Sequence, residues 1–333
     1  MADYEIREYR EGDEESLVAT FNEVFSAGHP EFVPRTLDEW RWTALDNPAG
    51  WRIWLALTDG EDGGRKVVAQ YAAWPYRLMV DGDERNFAQI VDSMVHPDHR
   101  AGLKRPGLFV RTAWEFFEQY GGPDKDLVHY GMPIAGAWRI GQTFLKYEIS
   151  RTHGVLAREP GPDPGDAPEV EHIERFDEQA RWLYDRCSGA FGASAIRDAA
   201  FWNWRFVDHP RQEYERLGVR DSEGILRGVA IYRRADWVLP NMGVVVDWLV
   251  PPDEPEVGAA LERAIRHRGV RDGVSAVASL TPDWSPWFDL FQDWGWRVHP
   301  SEYFMVTRSF HARYNDLWLR DNWWYQLADT DLV

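Results

Sequence analysis

The sequence predicts an α+β protein built as two tandem halves, each with a mixed, mostly antiparallel sheet flanked by helices. Three observations predict it. Strand and helix signals follow the same order twice, a proline- and glycine-rich segment sits near the middle, and short phrases recur in register across it. The chain has 333 residues, 44% hydrophobic and 28% charged, which suits two packed cores better than one. Residues 157–169 read AREPGPDPGDAPE, with four prolines and two glycines, and predict an extended linker between domains at 1–156 and 170–333. Across it, Trp40-Arg41-Trp42 before Asn47-Pro48 matches Trp202-Asn203-Trp204 before His209-Pro210. Val91-Asp92 through Pro97 matches Val246-Asp247 through Pro251. Pro133 and Pro282 each stand fourteen residues ahead of an aromatic, Tyr147 and Trp296. Together with Leu127 through Pro133, which matches Ala276 through Pro282, these four matches in one order indicate a duplication.

The first half reads in sequence. A short strand at 4–7 precedes a helix at 14–25, with Asp13 placed to cap it. A tryptophan-rich helix covers 37–44. Strands at 51–58 and 67–74 flank the turn-forming run 59–64, and strands at 77–80 and 86–95 flank Asp81-Gly82, a hairpin signal. A helix spans 106–120, with Pro106 in its first turn and Gly121-Gly122 as its stop. Strand 127–130, helix 136–145 and strand 148–156 complete the half. The 19 tryptophans are read mainly as packing residues.

Charge and composition restrict function. The net charge of −18, with only four lysines among 37 basic residues, opposes a nucleic-acid role, since phosphate contacts would work against a repulsive field. The single cysteine, Cys187, excludes an internal disulfide and a cysteine-based zinc site, and reads as buried. No signal-peptide pattern or membrane-length apolar run is present, so the expectation is a cytoplasmic protein with no metal and no membrane partner.

Against that acidic background, the stretch after His99 carries Arg100, Lys104, Arg105 and Arg111 with no acid among them and leads from a strand into a helix. Backbone N–H groups at a helix start, close-approaching glycines and cationic side chains together suit a pyrophosphate. The strand–loop–helix resembles the acetyl-CoA motif of the GCN5-related N-acetyltransferase (GNAT) superfamily. His96-Pro97-Asp98-His99-Arg100 directly after a strand is similar to a common phrasing of that family. Lys104-Arg105-Pro106-Gly107-Leu108-Phe109 stands where its Gln/Arg-x-x-Gly-x-Gly/Ala motif would, with Phe109 replacing the usual small residue. Phe291 to Trp296 closes the second half as many GNAT domains close.

The resemblance implies acetyl-CoA as co-substrate, held by Val95, Arg100, Gly102, Lys104, Arg105, Gly107 and Leu108. It also implies a main-chain oxyanion donor at Met94 or Val95, and direct attack by an amine on a small molecule or peptide. Asp92 and His96 are the candidate proton acceptors, and Tyr130 and Tyr147 the candidate donors to the leaving thiolate; no tyrosine lies in the helix after the fifth strand, where many GNAT proteins have one. The second half has Pro251-Pro252-Asp253-Glu254-Pro255-Glu256 in place of the basic loop, which predicts no coenzyme site there. Two alternatives stay open: a catalytically silent CoA- or ligand-binding regulator, and an aminoacyl transferase, which the negative charge opposes because it would need charged tRNA. The sequence leaves oligomeric state open.

Overall fold

The computed structural model describes residues 4–27, 31–60, 63–100, 106–133 and 135–333. In chain order the elements are β1 (Glu5–Glu8), α1 (Glu14–Ser26), α2 (Leu37–Ala44), β2 (Arg52–Asp59), β3 (Arg65–Val80), β4 (Asp83–Val95), α3 (Leu108–Tyr120), β5 (Asp126–Gly131), α4 (Ala135–Phe144) and β6 (Glu148–Arg158). There follow β7 (Val170–His172), α5 (Gln179–Ser188), β8 (Ala193–Ala195), α6 (Ala199–Phe206), β9 (Glu215–Arg220), β10 (Leu226–Ala235), β11 (Met242–Leu249) and α7 (Pro255–Arg271). The chain ends through β12 (Ala276–Ser279), α8 (Pro286–Asp293), β13 (Arg297–Ser309), α9 (Asp316–Asn322) and β14 (Trp323–Trp324). This is an α+β architecture with mixed, mostly antiparallel sheet flanked by helices.

Several local expectations change. Pro75 does not break the strand, so 67–74 and 77–80 form the single long β3. Asp13 precedes α1 but makes no side-chain cap; its carboxylate is held instead by Arg7 (2.7 and 2.8 Å) and the Arg10 N–H. Helix α2 carries a full capping box between Thr36 and Glu39, which fixes its start. Helix α3 begins at Leu108, after Pro106, with Gly107 as its cap residue.

The chain divides into two compact units, and neither equals a sequence half. Unit 1 comprises Met1–Tyr76, Arg85–Ser150 and Met305–Asp316; unit 2 comprises Arg77–Glu84, Arg151–Phe304 and Leu317–Val333. Within unit 1, β1, β2, β3, β4 and β5 lie side by side; β4 and β5 are parallel, and β5 pairs antiparallel with Val306–Ser309 of β13. Within unit 2, β7, β9, β10 and β11 lead to a parallel β12, which pairs antiparallel with Leu156–Arg158 of β6. The closing strand of each sheet therefore comes from the other half of the sequence. Residues 157–169 fall inside unit 2, which begins again at Arg151. The segment also packs inside unit 2: Ala167 belongs to its core, Asp163 bonds His267 (2.8 Å) and Glu169 pairs with Arg263.

Aromatic packing holds each unit. In unit 1, Tyr9, Leu17, Trp40, Leu55 and Val67 share one buried cluster. In unit 2, Trp248, Trp287, Phe291 and Trp296 form another with Leu261 and Ile265 of α7. Ten of the 19 tryptophans are buried, while Trp114 and Trp182 are exposed. Cys187 is fully buried, and that burial raises its thiol pKa, which removes it as a nucleophile. Among the described residues no helix is long and apolar enough to cross a membrane.

The exchanged strands generate a prediction. Protease should cut first within 161–166, which is mostly exposed. The two fragments should then co-elute on size exclusion and separate only in denaturant, since β13 completes the sheet of unit 1. Independent elution after one cut would contradict the exchange.

Candidate functional site

The predicted site lies at the end of β4 and the start of α3, both in unit 1. The registered β4–β5 ladder covers Asn86–Gln89 and Asp126–Tyr130, whereas β4 continues to Val95. At that end, the His96 N–H donates to the Val68 carbonyl of β3 (2.8 Å). Main-chain groups alternate in direction along a strand, so the Val95 N–H and C=O face the opposite edge. Arg100 Nε donates to that Val95 carbonyl at 3.0 Å, in agreement with the alternation. Met94 and Val95 are themselves buried, and Val95 packs in one cluster with Leu108, the first residue of α3. Of the two predicted oxyanion donors, Val95 is the one whose N–H is turned away from β3.

Helix α3 starts without a side-chain cap and without an acid in its first turn. Among the described residues no side chain caps that start, and the dipole there favours a negative charge. Gly107 and Leu108 stand at that start. Gly102, Lys104 and Arg105 lie outside the described residues.

The side chains predicted to move protons are engaged elsewhere. Asp92 takes a left-handed backbone (φ 51°) within β4, a conformation that strains a non-glycine residue. Its carboxylate is bonded bidentately by Arg35, and Gln70 Nε2 donates to its carbonyl (2.8 Å). Arg35 also lies over the Phe21 ring, 3.9 Å from its centre. His96 is buried: its Nδ1 accepts the Asp98 N–H (3.3 Å), which leaves the ring proton on Nε2, facing Glu23 Oε1 at 2.7 Å. Tyr147 is buried with its hydroxyl 3.1 Å from that of Tyr71, and burial pushes its pKa up. Tyr130 is buried too.

Sequence reading missed Arg35, Gln70 and Glu23. A signal for Arg35 existed. Arg197 stands five residues before Trp202, as Arg35 does before Trp40, so the repeat extends upstream of the tryptophans. In unit 2 the same pairing recurs, between Arg197 and Asp247 (2.9 Å). There the guanidinium is fully buried and also binds Asp329 (2.7 Å), and Trp202 Nε1 donates to Asp247 (2.7 Å). Asp247 likewise sits at a strand irregularity, where the β10–β11 register shifts by one residue.

The units diverge at the helix start. In unit 2, the residue before α7 is Glu254, buried, with its carboxylate bonded by Arg227 (2.9 Å) and Arg186. Burial acts to raise its pKa, but the hydrogen bonds from Arg227 and Arg186 outweigh it and hold the group below the usual glutamate range. An ion-paired glutamate therefore stands directly before α7 where Gly107 stands before α3, and neither helix start has a side-chain cap.

Comparison with known proteins follows this geometry. The acetyltransferase (GNAT) domain family matches residues 5–109, from β1 to the beginning of α3. An Enterococcus faecalis V583 protein described as a "Probable N-Acyltransferase" aligns at 14% identity over 92% of this chain and 73% of its own, TM-score 0.63. A GCN5-related N-acetyltransferase from Anabaena variabilis gives 12% identity over 93% and 73%, TM-score 0.62. The fold is GNAT-like. The N-myristoyltransferase of Saccharomyces cerevisiae, solved with myristoyl-CoA, aligns at 13% identity over 92% and 82%, TM-score 0.60. No curated protein matches the sequence. Among the described residues no group of three His, Cys, Asp or Glu could hold a metal ion.

Glu254→Gln tests the electrostatics at the start of α7. The variant should lose about 1–3 kcal/mol at pH 7, because two arginines keep only a neutral partner. The depressed folded pKa means the stabilisation is present above the unfolded glutamate pKa and is lost as pH falls through the folded value. The gap between wild type and variant in urea denaturation should therefore shrink as pH falls below about 4. A constant gap would remove the charged role.

Proposed function

We propose that the chain is an acetyl-CoA-dependent N-acyltransferase with one coenzyme site, in its first half, and direct attack by an amine in a ternary complex. The observation that carries this reading is the contrast between helix starts. In unit 1 the strand-end N–H of Val95 faces away from β3 and α3 opens with Gly107 and no acid in its first turn; in unit 2 the residue before α7 is the acidic Glu254, and Glu256 lies in the first turn. An anionic pyrophosphate fits the first and is repelled by the second. Arg100, Lys104 and Arg105 add charge-assisted donors, and the GNAT-like fold supports the same assignment.

In this reading, acetyl-CoA supplies the acyl thioester. The Val95 N–H polarises its carbonyl, and the site contributes chiefly by positioning. Asp92 and Arg35 act together as a clamp that holds the strained turn of β4 ahead of Val95. Proton acceptance by Asp92 would compete with its ion pair, and His96 offers no ring nitrogen without a partner. The amine is therefore expected to be neutral when it attacks, so the rate should rise with pH through the amine pKa. A second reading, a ligand-binding protein without turnover, is favoured by the same engaged side chains.

Two measurements test the proposal. Calorimetry with CoA should show one site per chain, weakened about tenfold or more by Lys104→Ala with Arg105→Ala, as expected for loss of charge-assisted bonds. Two sites of equal affinity would overturn the assignment. With acetyl-CoA and a mixed amine panel, kinetics should be sequential; ping-pong behaviour or an acetylated protein would exclude direct attack, and binding without product would favour the second reading. Arg35→Gln and Asp92→Asn should lower kcat by similar factors, on the order of tenfold, if the pair is a clamp. A much larger loss for Asp92→Asn alone, about 10²-fold, would restore Asp92 as the base.

A further inference from the structure

Unit 2 contains a cleft of about 530 Å³ on the side of the loop after α6, the start of β9 and the end of β10. Its size falls within the range of about 300–1,000 Å³ typical of small-molecule sites. Three arginines line it: Arg216, Arg233 and Arg234. In a chain of net charge −18, their hydrogen bonds go to neutral groups. Arg216 donates to the carbonyls of Ile173, Phe206 and Tyr214 and meets His172. Arg233 donates to Gln212 (2.6 Å) and the Arg234 carbonyl, and Arg234 to Asn241 (2.8 Å). None of the three forms an ion pair among the described residues.

The acids on the same wall are mostly neutralised already. Glu215 receives Arg268 and Arg271, and Asp272 receives Arg271 (2.9 Å) and the Tyr232 hydroxyl (3.2 Å). Glu213 is exposed and forms no ion pair among the described residues. The field at the cleft is positive: burial, with Arg205, Arg233 and Arg211, holds the His209 pKa down to about 3. We propose that this cleft binds a small organic anion, through a phosphate or carboxylate group seated on Arg216, Arg233 and Arg234. Planar guanidinium forks are the side chains best suited to both groups, and the cleft is separate from the helix-start site of the proposed function.

The test is calorimetry of the full chain with inorganic phosphate and, separately, citrate, each against sodium chloride of equal ionic strength. Binding of either should survive Lys104→Ala with Arg105→Ala and weaken at least tenfold in Arg233→Gln with Arg234→Gln. Phosphate alone binding would name a phosphorylated ligand, and citrate alone a carboxylate. No binding of either, equal binding by the Arg233/Arg234 variant, or loss only in the Lys104/Arg105 variant would overturn the proposal. Should the Arg233/Arg234 variant fail to fold, the wild-type His209 ring signals in NMR decide. They should shift with added phosphate or citrate beyond the chloride control, and unmoved signals would overturn it.

Discussion

An arginine–aspartate pair fastens the start of a tryptophan-rich helix to an irregular strand, and it does so in both units. Arg35 and Arg197 each stand two residues before a helix, α2 or α6. Each reaches an aspartate at a break in strand regularity, Asp92 or Asp247. The guanidinium fork suits a carboxylate bidentately, so it fixes direction as well as distance. Without it, the left-handed residue in β4 would have less to hold it against relaxation to an ordinary extended strand. The unit 2 version is buried and shared with Asp329. Desolvation alone would lower the Arg197 pKa, but the two carboxylates keep it well above its ordinary value. Its unit 1 counterpart is more solvated, with about a fifth of the Arg35 side chain exposed. The strand that leads to Val95 is thus held by the looser of the two clamps.

The two helix starts show one electrostatic requirement met in different ways. Orphan N–H groups at a helix start need acceptors, and the dipole favours an anion. Helix α7 begins with Pro255, which removes one donor, and a buried Glu254 stands beside it with two arginines. Charge there balances within the protein. At α3 the corresponding sequence is basic and has no acid from His99 to Arg111.

Elements and their order were legible because they rest on periodicity and turn residues. Helix α2 begins and ends where the spacing places it, and the alternation around Asp81-Gly82 marks the hairpin between β3 and β4. The pairing of strands was not legible. Nothing in the local pattern of residues 148–156 or 297–309 says which sheet they close, because both read as amphipathic strands whichever edge they join. At the candidate site the backbone features were legible, since a strand end, a glycine and a basic loop are local. Side-chain commitments were not. Asp92 reads as an available carboxylate until Arg35, 57 positions away, is brought beside it. Glu23 reaches His96 across 73 positions. Tyr147 reads as a phenol near the chemistry, yet its partner is Tyr71 in a buried aromatic group.

The exchange of closing strands ties the two halves of the sequence to each other. A parallel strand such as β5 or β12 needs pairing on both edges, because an uncovered edge leaves a row of N–H and C=O groups unpaired. In each unit one of those edges is covered by a strand from the other half: Val306–Ser309 beside β5, and Leu156–Arg158 beside β12. Neither half can complete its sheet from its own residues. These pairings also join residues about 180 positions apart in unit 1 and 120 in unit 2, and such long loops close slowly. The halves are therefore bound to one folding event although their local signals are independent. That coupling binds the two halves of the sequence to each other, because β6 of the first half depends on β12 and β5 depends on β13.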